Sequence, residues 1–157
     1  GTVEPNGLFV AAGSGVRGTA TNFAFSADDL IDLTMSVDSA YASRPSAGFM
    51  MRRATMGTLR KLKDDNGAYI YDPTQGAQAL LLGYPVHENP YAPAIGTAAK
   101  SVVFGDMSSY HVRQVGGVEI ARSDDAYFVN DLVAFRVSVR VDANLGQSGA
   151  VKFYQGK

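Results

Sequence analysis

Three features of the sequence predict an α+β fold, with a central, mainly antiparallel or mixed sheet flanked by two main helices. Two segments with helical spacing lie within the first 63 residues. Most extended segments come after them, and one late segment alternates strictly between apolar and polar side chains. Helices followed by a run of strands favour this class over a doubly wound parallel sheet.

Each element has a local reason. The apolar run Leu8 to Ala12 predicts a short strand, and the Gly-, Thr- and Asn-rich residues up to 25 predict a loop. Residues 26–41, SADDLIDLTMSVDSAY, predict one helix. Ser26 suits the N-cap, Asp28 and Asp29 sit at the positive end of the dipole, and Leu30, Leu33, Thr34, Val37 and Tyr41 recur at helical spacing. Pro45 prevents continuation. GFMM, 48–51, predicts a strand. ATMGTLRKLK, 54–63, predicts a second helix with Met56, Leu59 and Leu62 inward and Arg60, Lys61 and Lys63 outward. AYIY, 68–71, begins an extended segment, and residues 79–90 hold a buried strand and then a proline-limited edge. Residues 101–115 and 117–122 predict strands joined near Gly116-Gly117. In LVAFRVSVRVD, 132–142, Val133, Phe135, Val137, Val139 and Val141 alternate with Ala134, Arg136, Ser138, Arg140 and Asp142. The last strand is AVKFYQ.

Composition narrows the function classes. The chain has 157 residues, enough for one domain with a real core. Charged residues make up 18%, below the usual quarter, which suits a protein that covers part of its surface with partners. A net charge of −1 gives no broad electrostatic case for nucleic-acid binding. The absence of Cys excludes disulfides, thiolate zinc sites and Cys nucleophiles. No apolar run approaches the ~20 residues of a membrane helix. The opening GTVEPNGL, without Met, reads as mid-protein sequence, so a fragment or processed product is expected.

Several short motifs invite chemistry and are weighed against plainer readings. KDDNGAY fails as a calcium loop. With Gly67 as the turn glycine, the first ligand position falls on Leu62 and the closing one on Pro73. Asp64 to Gly67 instead predict a helix end and a turn into a strand. GSGVRG, 13–18, has dinucleotide-motif letters, but TATNFAF follows where a helix should open, so a flexible loop is expected. GQSGA, 146–150, nearly spells a nucleophile elbow, with Ala150 in place of the last Gly. His87 and His111 are the only histidines, and nothing singles out a Ser-His-Asp set. Arg136 and Arg140 share one strand face. They suit ion pairs with a neighbouring strand or subunit better than an anion site, since no amide nest adjoins them. Arg52, Arg53, Arg60, Lys61 and Lys63 form a local basic cluster.

Taken in order, six segments resemble the Hong Kong 97-like family of major capsid proteins of tailed bacteriophages. They are GTVEPNGLF, DDLIDLTMSVDSAY, MRRATMGTLRKLKDDNGAYIY, LLGYPV, VVFGDMSSYHV and VEIARSDDAYFVNDLVAFRVSVRVD, the last with an Arg at 140 as is common in the family. The resemblance implies an axial domain with its opening segment over 1–142 and a terminal peripheral-domain strand over 143–157. It also implies that an N-terminal arm, an extended loop and a spine helix are missing. RRAT departs from relatives that place an Asn cap before the second helix, since Arg53 cannot accept the free helix amides.

The expected function is a structural subunit of an icosahedral phage or prophage shell, with no enzymatic activity and no cofactor or metal. Expected partners are further copies in hexamers and pentamers, with scaffold, portal or decoration proteins besides. No specific nucleic-acid or membrane partner is expected. The location implied is the virion, and the host cytoplasm during assembly. Arg60, Asp64, Asp65, Arg136 and Arg140 are the candidate subunit contacts, with Arg60, Asp64 and Asp65 as rim contacts near a symmetry axis. Some relatives crosslink a Lys to an Asn with help from a Glu. Those last two positions fall on Asp131, beside Asn130, and on Ser138, so no such crosslink is expected here. Alternatives are the shell of a cellular nanocompartment and, from another class, a hydrolase using His87 or His111. The 157-residue chain alone is not expected to close shells.

Overall fold

The computed structural model describes residues 4–18, 26–63, 67, 69 and 80–157. A six-stranded mixed sheet forms the body. Its elements, in chain order, are a single helical turn α1 (Leu8–Ala11), β1 (Gly13–Arg17), α2 (Ala27–Ser36), a second single turn α3 (Ser39–Ala42), β2 (Ala47–Met51), α4 (Arg53–Leu59), β3 (Leu80–Leu81), β4 (Tyr84–Glu88) and β5 (Lys100–Asp106). A long hairpin of β6 (Tyr110–Tyr127) and β7 (Leu132–Leu145) follows, and β8 (Val151–Gln155) ends the chain. The sheet order is β1-β8-β5-β2-β4-β3, with β1/β8 and β2/β4 parallel and the other pairs antiparallel. The fold is α+β, as the order of patterns predicts.

Strand alternation divides the core between the two sheet faces. Phe49, Met51, Val102, Phe104 and Tyr154 point to one face and meet Leu30, Leu33 and Val37 of the α2 segment and Leu59 of α4. The Phe49 and Phe104 rings lie 4.6 Å apart, and Tyr84 meets Phe104 edge-on at 4.8 Å. Val103, Val151 and Phe153 point to the other face and meet Ala12, Leu145, Leu8, Phe9 and Tyr110. Each fully buried side chain of this size contributes about 1.5–3 kcal/mol.

Several elements differ from the expectation, each for a local reason. The apolar run at 8–12 is a helical turn, and the strand falls on Gly13–Arg17 instead. Over 13–17 the expected loop is a strand because its glycines admit close neighbours, and its remainder at 19–25 lies outside the described residues. A Cβ on Gly15 would sit 2.7 Å from the Phe153 carbonyl oxygen. The helix over 26–41 is broken. Ser26 and Asp29 form a capping box at its start, but Val37 is extended and Asp38 caps α3 through Ala40 N at 2.8 Å. The second helix ends at Leu59, so Arg60 is its C-cap and Lys61 and Lys63 lie beyond. Its N-cap, Arg52, makes no capping hydrogen bond through its side chain. Within the segment expected to hold a buried strand, residues 80–88 form a tight β3/β4 hairpin in which Leu81 is buried and Leu80 is half exposed.

Gly116 does not end a strand. β6 runs through it as a bulge, with Val115 opposite Arg140 and Glu119 opposite Ser138. Gly116 takes φ +74, which an unbranched chain without Cβ adopts freely. Residue 142 falls inside β7, and β8 lies between β1 and β5 within the body sheet.

Candidate functional site

The hairpin is the least self-sufficient of the described elements. β7 alone spans about 45 Å at ~3.3 Å per residue. Among the described residues its strand partner is β6, and the two form a separate two-stranded sheet. Residues directly opposite share a face. One face carries Val112, Ile120, Val133, Phe135, Val137, Val139 and Val141, all between 45% and 68% exposed. The other carries Arg113 opposite Asp142, Arg140 opposite Val115, Ser138 opposite Glu119, and Arg136 opposite Ala121. The alternation in the sequence is therefore real, but none of these apolar residues is buried, in contrast to Ala143 and Leu145 at the base of β7.

The base of the hairpin is fixed by one carboxylate. Asp106 is fully buried and ends β5. It accepts from Arg44 Nη1 at 2.7 Å and Ser46 Oγ at 2.5 Å, which precede β2. It also accepts from Ser108 N at 3.0 Å, Ser108 Oγ at 2.6 Å and Ser109 Oγ at 3.1 Å, which lead into β6. Burial alone would raise its pKa. The hydrogen bonds from Ser108, Ser46 and Arg44 outweigh that and hold the carboxyl far below the usual carboxylate range. Gly146 N donates to Ser109 O at 2.9 Å, which ties the return strand to the same point. Arg44 also stacks over Tyr41, whose hydroxyl bonds Gln147 Oε1.

The predicted contact residues are scattered. Arg136 and Arg140 lie on the polar hairpin face with Ser138 between them, and among the described residues neither has an ion-pair partner. Arg60 lies at the end of α4, far along the chain from them, at the rim of a depression it shares with Arg53, Met56, Gly57 and Glu88. Asp64 and Asp65 lie outside the described residues. Of the described residues beside them, Lys63 and Tyr69 form an antiparallel bridge and Gly67 takes φ +81.

The candidate chemistry is not assembled. GSGVRG is the edge strand β1 and opens no helix. GQSGA turns between β7 and β8, so the strand-to-helix geometry of a nucleophile elbow is absent. His87 lies exposed on β4 and His111 exposed on β6. Among the described residues no group of three or more His, Asp or Glu is placed to hold a metal ion. No described helix is long and apolar enough to cross a membrane. Asp131 takes φ +53 at the hairpin tip, and Ser138 Oγ donates to Glu119 Oε2 at 3.5 Å. Asp106 was not singled out from the sequence. The Gly-Asp-x-x-x-Tyr spelling marks its place, but its donors Arg44 and Ser46 stand about 60 residues earlier.

Comparison with known proteins fits this geometry. Two solved capsids of GTA particles share the fold. The capsid of the empty particle is 25% identical, with a TM-score of 0.79 over 97% of this chain and 56% of that one. The capsid of the native particle is 24% identical, with a TM-score of 0.83 over 99% and 57%. The satellite phage P4 procapsid, a structure that includes the size determination (Sid) protein, is 14% identical, with a TM-score of 0.61 over 90% and 41%. The chain thus spans little more than half the length of the GTA capsid chains. No curated protein matches it significantly in sequence. The model of the phage capsid family matches residues 1–156, and with the body sheet and hairpin in place the chain belongs to that family.

Proposed function

We propose that this chain is a structural tile of a phage-type capsid shell, working by fitting against copies of itself and transforming no molecule. One observation carries the reading beyond family membership: the exposed two-stranded hairpin. A hairpin of this kind is marginal alone in water, and its apolar face is larger than scattered exposure explains. Closed symmetry turns many modest contacts of this sort into a stable container. The mixed-charge surface and the unpaired Arg136 and Arg140 suit contacts in hexamers and pentamers. Scaffold, portal or decoration proteins are partners of the same assembly, and the virion is its place. The chain divides by topology into the six-stranded body, which includes β8, and the projecting β6/β7 hairpin, a division supported by the pairing of β8 with β1 and β5.

Electron microscopy of particles made from the complete coding sequence tests this. Closed shells whose subunit density follows the body and hairpin are expected. A soluble monomer at shell-forming concentrations refutes it. The 157-residue chain alone is expected to give no shell-sized species in light scattering.

A further inference from the structure

The body carries an acidic and a basic segment in two separate places on one sheet face. α2 and α4 both pack on the face formed by Phe49, Met51, Val102 and Phe104. α2 lies over β1 and β8, at one edge of the sheet. α4 lies over β2 and the β3/β4 hairpin, at the other, with Met56 and Leu59 beside Met51, Leu81 and Val86. The segment 26–42 contains Asp28, Asp29, Asp32 and Asp38 and no Lys or Arg. The segment 52–63 contains Arg52, Arg53, Arg60, Lys61 and Lys63 and no Asp or Glu. An opposite-sign neighbour of the basic segment is Glu88, which stands 3.7 Å from Arg53.

The two surfaces also match in apolar detail. The outer face of α2 presents Asp28 and Asp32 with Ile31 and Met35, the last 78% exposed. The basic edge holds an open depression of about 250 Å³, with Met56 and Gly57 on its floor and Arg53 and Arg60 on its rim. A small apolar centre inside a charged rim is the usual anatomy of a specific contact. The chain as a whole is almost neutral, so copies do not repel at long range and the local fields decide orientation.

We propose that copies associate head to tail, the acidic outer face of α2 in one copy seating on the basic depression beside α4 in the next. The inference rests on the shell reading and names its contact. Two different edges meet, so the contact is heterologous, and a rotation that closes makes a ring. A nucleic acid on the basic depression is the competing occupant. It leaves the acidic α2 face unexplained, and Glu88, beside Arg53, opposes it.

Sedimentation of the 157-residue chain at low and high salt is the test. Self-association that weakens as salt rises is expected. Asp28→Lys with Asp32→Lys should weaken it about tenfold or more, and so should Arg53→Glu with Lys61→Glu. The quadruple charge swap should restore it, with circular dichroism unchanged throughout, because all four side chains are exposed. A chain that stays monomeric at low salt overturns the proposal. Association that ignores salt and both reversals also overturns it, while leaving the shell reading intact. So does binding of mixed-sequence duplex DNA that is lost in the Arg53/Lys61 variant while self-association is unchanged. Absence of shells from the complete coding sequence, with this association present, fails the shell reading instead.

Discussion

Asp106 does at residue scale what a disulfide does elsewhere: it joins segments distant in the chain at one buried point. Its carboxylate is charged and satisfied by Arg44, Ser46, Ser108 and Ser109. Asp106→Asn leaves donors facing donors and is expected to cost about 2–4 kcal/mol in denaturant unfolding at pH 7. The pH dependence has a definite sign. The folded pKa is depressed, so the contribution is complete above the ordinary carboxylate value near 4 and fades as pH falls below it. Unfolding titrations should therefore show the gap between wild type and Asp106→Asn narrowing from pH 5 to pH 2. A gap independent of pH contradicts the assignment. The Ser138 position makes a second residue-scale prediction. A carboxylate at Asp131 is no amide electrophile, so assembled protein should run as a monomer on a denaturing gel, and a ladder of covalent oligomers contradicts this. Little of the Asp106 node is legible in sequence, because hydrogen-bond partners about 60 residues apart leave no local pattern. Arg136 and Arg140 were legible as a shared face, because strand alternation is local. Their missing partners were not.

Elements were legible where periodicity and caps agree, and misread where two elements share one period. Leu30, Leu33, Thr34, Val37 and Tyr41 keep helical spacing straight through the break at Val37, so only the caps betray it. Thr34 Oγ1 and Ser36 Oγ bond the carbonyls of Ile31 and Leu33, local bonds that compete with helix continuation. The Gly116-Gly117 pair shows the same limit. Two glycines amid β-formers spell a turn, yet the chain uses the first as a bulge inside an 18-residue strand. The two glycines are separable by mutation. A Cβ at either position meets open space, but only Gly116 has positive φ. Gly116→Ala is expected to destabilise by about 1 kcal/mol, or about 2–4 °C in thermal midpoint. Gly117→Ala should leave the midpoint nearly unchanged or slightly raised. Equal loss from both refutes the bulge as the cause.

At the scale of the whole molecule the pattern of burial is uneven. The body completes its own core on both faces of the sheet, whereas the hairpin exposes Phe135 at 66% and Val137 at 61%. Alternation in the sequence identified the apolar face of β7 correctly, but alternation says which residues point together and nothing about what covers them. That gap is physical: covering a face is a property of the assembly, and one chain's periodicity does not encode the neighbour. It makes a measurable prediction. Phe135→Ser removes a ring that the isolated chain barely buries, so its unfolding free energy should change by less than about 1 kcal/mol. The same change should reduce binding of a hydrophobic dye to the isolated chain, because Phe135 sits amid the exposed valines. In the complete protein it should lower the yield of closed shells, since a shell that covers this face loses about 1.5–3 kcal/mol per copy, multiplied over every copy. Large destabilisation of the isolated chain means the ring is buried already. Unchanged dye binding and normal shell yield mean the face stays open in the particle, and assembly then has to rest on the body's edges alone.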